Sequence, residues 1–134
     1  MALEDTVKNI TIFFGENAGK IWRTLDEHGP LYEDEIVTLT ELNDRDFHGA
    51  IGWLAREGKV HKDDRYALDR TNLTPWIGAN AGKVWKVLDI WGAVDFPTIK
   101  RLAGISEEDV HAALGWLACE DKIRVDDCQR YALK

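Results

Sequence analysis

The strongest constraint on this chain is an internal repeat. The segment from Gly15 to Trp22 recurs almost unchanged from Gly78 to Trp85, at an offset of 63 residues. About half of the positions from residue 15 to residue 68 have an identical partner in the second copy. Such self-similarity indicates duplication, so the structure of one copy must form twice. We expect two domains, residues 1–70 with an N-terminal extension and residues 71–134.

Each copy has the pattern of three helices followed by a β-hairpin. We expect Asn17 or Asn80 to cap the first helix, which ends at a glycine, and a short second helix over residues 33–39 or 97–102. The third helix, whose end is marked by Gly58 in the first copy and Asp121 in the second, has an apolar stripe at i, i+3, i+4 and i+7 spacing. Residues 59–68 and 122–133 read as hairpins. The stripe comprises Phe47, Ala50, Ile51 and Leu54, matched by Val110, Ala113, Leu114 and Leu117.

The predicted fold is therefore α+β and mainly α, with tandem winged helix-turn-helix domains, each of three helices and a hairpin wing. Asn43 and Ser106 are the expected caps of the third helices, because each is followed three positions later by a carboxylate. The segment up to Phe14 fits a helix or a strand equally well.

Two motifs resemble a known family. Asn-Ala-Gly-Lys-x-Trp in the first helix and Ala-x-Gly-Trp-Leu-Ala in the third occur in both copies. In these motifs the chain resembles a small prokaryotic winged helix-turn-helix family of unestablished function, over residues 15–68 and 78–133. The resemblance implies the fold but does not fix the function. Many winged helices bind DNA through the third helix and the wing, and others bind proteins.

The outward face of the third helix is the candidate DNA-reading surface. Such a face enters a major groove while wing cations contact phosphates. In the first copy it carries two arginines, whereas the second copy has Glu108 and no cation at the matching positions. We predict a transcription-regulator-like protein that binds double-stranded DNA through its first copy. The predicted contacts are Arg45, His48, Arg56, Lys59, Lys62 and Arg65.

Small residues on the same helix face support an alternative function. A glycine within a helix costs up to about 1 kcal/mol relative to alanine, so its presence there indicates close approach by another helix, the sister repeat or a partner protein. Tryptophans at the edge of this face either anchor such a contact or complete each core. The alternative is a protein-interaction or self-association module. Its residues are Gly49, Gly52, Trp53, His111, Ala112, Gly115 and Trp116.

Composition and motifs exclude several other classes of protein. A formal net charge of −7 argues against non-specific coating of nucleic acid. The aspartate pairs repeated at residues 63–64 and 126–127 fit hairpin turns, and no nucleophile with a base, pocket carboxylate pair or metal-ligand cluster recurs in both copies, so we expect no enzyme, metal or cofactor. The segment from Gly15 to Lys20 lacks the spacing of a phosphate-binding loop. Without a membrane-length apolar run or a secretion signal, and with two cysteines, the chain is expected to be cytoplasmic.

Overall fold

The computed structural model describes residues 9–134, and the described residues form six α-helices and five short β-strands. The first repeat contains α1 (Ile10–His28), α2 (Glu33–Thr40), α3 (Asp44–Arg56), β1 (Val60–Lys62) and β2 (Tyr66–Leu68). A π-helical turn (Thr74–Gly78) then leads into α4 (Ala79–Trp91), β3 (Val94–Asp95), α5 (Phe96–Ala103), α6 (Glu107–Cys119), β4 (Ile123–Val125) and β5 (Arg130–Leu133). The predicted architecture, two copies of three helices and a hairpin, is confirmed.

The two wings differ by one strand. In the first repeat, β1 and β2 form an antiparallel hairpin, and Leu31 makes an isolated bridge to Tyr66. In the second repeat this bridge is extended into β3, which pairs with β5 to give the strand order β3-β5-β4. The extra strand ties the start of α5 to the second wing.

The third helices follow the sequence prediction closely. The side chain of Asn43 accepts a hydrogen bond from the backbone N–H of Asp46 at 2.8 Å. Ser106 caps α6 in the same way, accepting from Asp109 at 3.1 Å. All eight residues of the predicted apolar stripes are buried. The predicted caps and core faces are therefore confirmed.

The predicted start of the first helix is wrong. Asn17 and Asn80 do not cap helices but are buried within α1 and α4. The α1 helix begins at Ile10, where the Asn9 side chain accepts a hydrogen bond from the Ile12 backbone at 3.4 Å. Helix is favoured there because Ile10 and Phe14 extend the buried stripe by two turns. The undecided segment is thus helical from Ile10, and residues 1–8 lie outside the described part.

The two cores interlock. Ile10 and Phe14, at the start of α1, pack into the core of the second repeat. Conversely, Ile77 from the turn before α4 packs into the core of the first repeat. Since Phe14 and Ile77 occupy equivalent positions of the two copies, the exchange is nearly symmetric. Within residues 9–134, no helix combines the length and apolar character of a membrane span.

Candidate nucleic-acid interface

The outward faces of α3 and α6 pack directly against each other, and we call this contact the seam. A Cβ atom on Gly52 would lie 1.9 Å from the carbonyl oxygen of Ala112, and one on Gly115 would lie 1.8 Å from that of Gly49. Only glycine permits this backbone approach. The small-residue strip seen in the sequence is therefore covered by the sister repeat within the same chain.

The two helices of the seam run in the same direction. Near their starts, Nε2 of His48 lies 3.7 Å from a carboxylate oxygen of Glu108. Near their ends, Nε of Arg56 lies 3.0 Å from a carboxylate oxygen of Glu120, just beyond α6. The N-terminal parts of α3 and α6 are thus in contact, and so are their C-terminal ends. The repeats are therefore related by a pseudo-twofold arrangement in which equivalent residues lie at the same end of the molecule.

Phe14 accounts for a difference between the two sides of the seam. A Cβ on Gly49 would lie 2.3 Å from the Phe14 ring, so this side needs glycine. The equivalent of Gly49 is Ala112, and the equivalent of Phe14 is the smaller Ile77, which belongs to the same core cluster as Ala112. The sequence thus matches a large side chain with glycine and a smaller one with alanine.

The predicted interaction residues all lie at or beside the seam. Trp53 and Trp116 pack at the edges of both cores. Their rings also approach Gly15 and Gly78, where a Cβ atom would be 3.3 and 3.4 Å away, respectively. These tryptophans therefore complete the cores and flank the contact between the repeats. Gly49, Gly52, His111, Ala112 and Gly115 are buried in the seam itself.

His48 lies in an acidic part of the seam. Its Nε2 is 3.8 Å from Glu33 of its own repeat and 3.7 Å from Glu108 of the other. This nitrogen is buried and has no hydrogen-bond partner among the described residues. His48 is 8% exposed, so it is not presented to solvent as a base-reading side chain.

His111, the equivalent residue, lies in an aromatic part of the seam. Its ring stacks on Phe96, with 4.3 Å between centroids, and its Nε2 is 3.8 Å from Glu107. Burial lowers the pKa of His111; the Glu107 carboxylate opposes this effect, and Arg45 adds to it. The structure therefore favours a neutral His111.

The two arginines predicted to contact DNA lie at opposite ends of α3. Arg45 is exposed at the start, with its Nε 3.1 Å from the Asp46 carboxylate. Arg56 is at the end, paired with Glu120 and placed 5.7 Å from the Trp116 ring centroid. Eleven residues of helix separate them by roughly 16 Å. Because the face between them is covered by α6, the structure does not bring Arg45, His48 and Arg56 onto one open surface.

The three predicted wing cations are also dispersed. Lys59 follows α3 and lies 3.7 Å from Glu57. The Lys62 ammonium lies 5.3 Å from the Tyr66 ring centroid, and the Arg65 guanidinium lies 5.6 Å from that of Tyr32. Lys62 and Arg65 thus lie near aromatic side chains of the wing and of the residue before α2, whereas Lys59 lies just beyond the C-terminal end of α3.

The C-terminal halves of α3 and α6 each border a groove, one in each repeat. The first groove lies between α1 and α3, with Gly19 on its floor and Trp22 and Trp53 in its walls. The second groove is its equivalent, formed by Gly82, Trp85 and Trp116 between α4 and α6. Because α3 and α6 are parallel, both grooves lie toward the same end of the molecule. The glycines and tryptophans named here come from the two motifs repeated in the sequence.

Basic side chains beside the grooves are kept in both copies. Arg23 and Lys59 line the first groove and Lys122 lines the second, and the other matched cations occupy exposed positions of the same first helices. Of these residues only Lys59 is among the DNA contacts predicted from the sequence, although all of the positions are basic at the same offset in an acidic chain. The matched pairs are Lys20 and Lys83, Arg23 and Lys86, and Lys59 and Lys122.

The acidic groups that line the grooves are already paired. Glu57 lies 3.7 Å from Lys59. In the second groove Glu120 lies 3.3 Å from Lys122 and 3.0 Å from Arg56. Lys20, Arg23, Lys83 and Lys86, on α1 and α4, have no ion-pair partner among residues 9–134, so their charges remain available to a ligand.

Comparison with known proteins gives a weak structural similarity and a family match. The mRNA-binding domain of elongation factor SelB from E. coli, solved in complex with SECIS RNA, matches with a TM-score of 0.40 and 14% identity. The match covers 89% of this chain and 98% of that one, but a TM-score of this size is too low to indicate a shared ligand. No curated protein matches. The model of the winged helix-turn-helix domain family DUF2582 matches residues 7–73 and again residues 68–133. The chain therefore belongs to this family, as two tandem copies.

Proposed function

We propose that this protein binds nucleic acid without catalysis, using the end of the molecule where the two grooves open. One observation carries the proposal: three basic positions on the segments that form each groove are retained in both copies of a chain whose net charge is −7. Lysine and arginine at matched positions supply the phosphate contacts that dominate nucleic-acid affinity. The negative overall charge keeps binding confined to this end.

The seam argues for this end over the outward face of α3. A major groove admits a helix only when its outward face is free. Here that face, including Gly49 and Gly52, is packed on α6 at backbone contact. Reading bases with α3 would first require the repeats to separate and expose their shared apolar contacts. A protein partner that used the same small residues would have to displace the sister repeat as well.

Binding of labelled oligonucleotides at about 50 and 200 mM salt tests the proposal, because phosphate-driven affinity falls steeply with salt. We expect salt-sensitive binding that the double variant Lys20→Glu/Lys83→Glu weakens at least about tenfold. Arg45→Glu, at the other end of α3, is the matched control and should bind as the parent does. Absence of binding at the lower salt, or loss through Arg45→Glu alone, would overturn the proposal.

A further inference from the structure

We infer that the two grooves hold unpaired bases, so that the nucleic acid bound at this end is single-stranded. The inference rests on the proposed function and adds the kind of strand and the side chains that contact its bases. It arises from three features of the grooves: exposed tryptophans, open glycines and the position of the cations.

Trp22 and Trp85 are the exposed aromatic walls of the grooves. Each is 39% exposed, the same value in both copies. Trp53 and Trp116, the opposite walls, have internal roles against the cores and the seam. Trp22 and Trp85 belong to neither core cluster, yet the duplicated motif retains them. Exposed indole rings in a basic groove are surfaces on which bases stack.

The glycines on the groove floors have no internal explanation. A Cβ on Gly82 would meet no atom within 4 Å, and one on Gly19 would meet only the flexible tip of Arg23 at 3.5 Å. Both lie within helices, where glycine is disfavoured by up to about 1 kcal/mol relative to alanine. The glycines of the seam, in contrast, are required by a touching backbone. Gly19 and Gly82 leave a flat strip beside a tryptophan, which is the space that a planar base needs.

The charges favour a nucleic-acid strand over an apolar peptide as the occupant of the grooves. Lys20 and Arg23 follow Gly19 on the first groove's helix, and Lys83 and Lys86 occupy the same places in the second. A polyanionic backbone is complementary to these cations while its bases face the tryptophans. A duplex offers the same phosphates, but its bases are stacked internally and their faces cannot reach Trp22 or Trp85.

The test compares single-stranded and duplex oligonucleotides of one length by fluorescence anisotropy at about 50 mM salt. We expect the single strand to bind more tightly. Trp22→Leu/Trp85→Leu should weaken it at least about tenfold, because two stacking contacts are lost. Trp91→Leu removes a ring that is more exposed, at 61%, but lies outside both grooves, and it should leave affinity unchanged.

A second pair of substitutions tests the groove floors without removing aromatic rings. Gly19→Leu/Gly82→Leu puts good helix formers on the floors, so the melting temperature should be maintained while single-strand affinity falls. Equal affinity for single strand and duplex, or unchanged binding in both groove variants, would overturn the inference while the lysine variants still upheld nucleic-acid binding. Absence of binding to either form at about 50 mM salt would overturn both proposals.

Discussion

Two groups of helical glycines in this protein have opposite environments. At the seam, Gly52 and Gly115 face backbone atoms less than 2 Å from a would-be Cβ. At the grooves, Gly19 and Gly82 face open space or a flexible side-chain tip. Both groups recur in the duplicated sequence, yet only the first is explained by packing within the chain. Close approach within the chain therefore explains the repeated glycines of the seam, whereas those of the grooves have no such contact.

The largest expected effect comes from substitutions that prevent the backbone contact between α3 and α6 at the seam. Gly52→Ala places a methyl group 1.9 Å from the Ala112 carbonyl oxygen, and the two helices must move apart to accept it. We expect the free energy of unfolding to fall by about 3 kcal/mol or more, at the upper end of overpacking costs. Urea denaturation measures this loss. Gly115→Ala should behave alike, and a near-neutral result for both would contradict the seam geometry.

A smaller loss of stability is expected at Gly49, where an added methyl group would meet a side chain and not the backbone. Gly49→Ala collides with the Phe14 ring, which can shift partly, so we expect a loss of about 1–3 kcal/mol. Phe14→Ile should recover part of that loss, because it reproduces the pairing of Ile77 with Ala112 in the second repeat. A double-mutant cycle by urea denaturation measures the coupling. Additive losses would show that Phe14 does not explain the glycine.

At the second groove we expect the opposite effect, an increase in the free energy of unfolding when glycine is replaced by alanine. Gly82→Ala adds a methyl group that meets nothing within 4 Å and replaces a poor helix residue with the best one. The free energy of unfolding should rise by up to about 1 kcal/mol, measured by the same denaturation. A decrease would mean that the second groove is occupied within the chain, and the contrast between the two groups of glycines would disappear.

The smallest expected effect is the contribution of His111, in the seam, to the pH dependence of the free energy of unfolding. The pKa of His111 is lowered by burial in the folded protein, so the unfolded chain binds more protons as the pH falls below the ordinary value of 6.5. The stabilising contribution is complete above that value and is lost as the pH falls through the folded pKa. Urea denaturation between pH 7 and 5 should show that the free energy of unfolding falls with pH. This dependence on pH should be weaker in His111→Asn. An unchanged slope would show that His111 is not responsible.

Much of the fold was predictable because local patterns decide it. The caps Asn43 and Ser106 and the stripes of the third helices are short-range signals that packing reinforces. The start of α1 was not predictable, since Asn17 is a good capping residue in isolation and only the exchange of Ile10 and Phe14 into the other repeat's core extends the helix past it. Strand β3 has two residues, too few for any periodic pattern.

The candidate site was only partly accessible from the sequence. The small residues at Gly49 and Gly52 indicated a close contact but not which element makes it, because the orientation of two repeats depends on long-range packing. Assigning Arg45, His48 and Arg56 to one DNA-reading surface assumed that the face was free. The matched cations were visible as a pattern, but the parallel arrangement of α3 and α6 was needed to place the two sets at the same end of the molecule.

The most direct test of the central claim is a nuclear Overhauser measurement across the seam. The account predicts contacts in solution between the α protons of Gly52 and Ala112 and between those of Gly115 and Gly49, because these backbones touch when α3 and α6 lie side by side. Absence of these contacts, with solvent-exposed amide behaviour along the outward faces of both helices, would contradict it. In that case α3 would be free to enter a DNA groove.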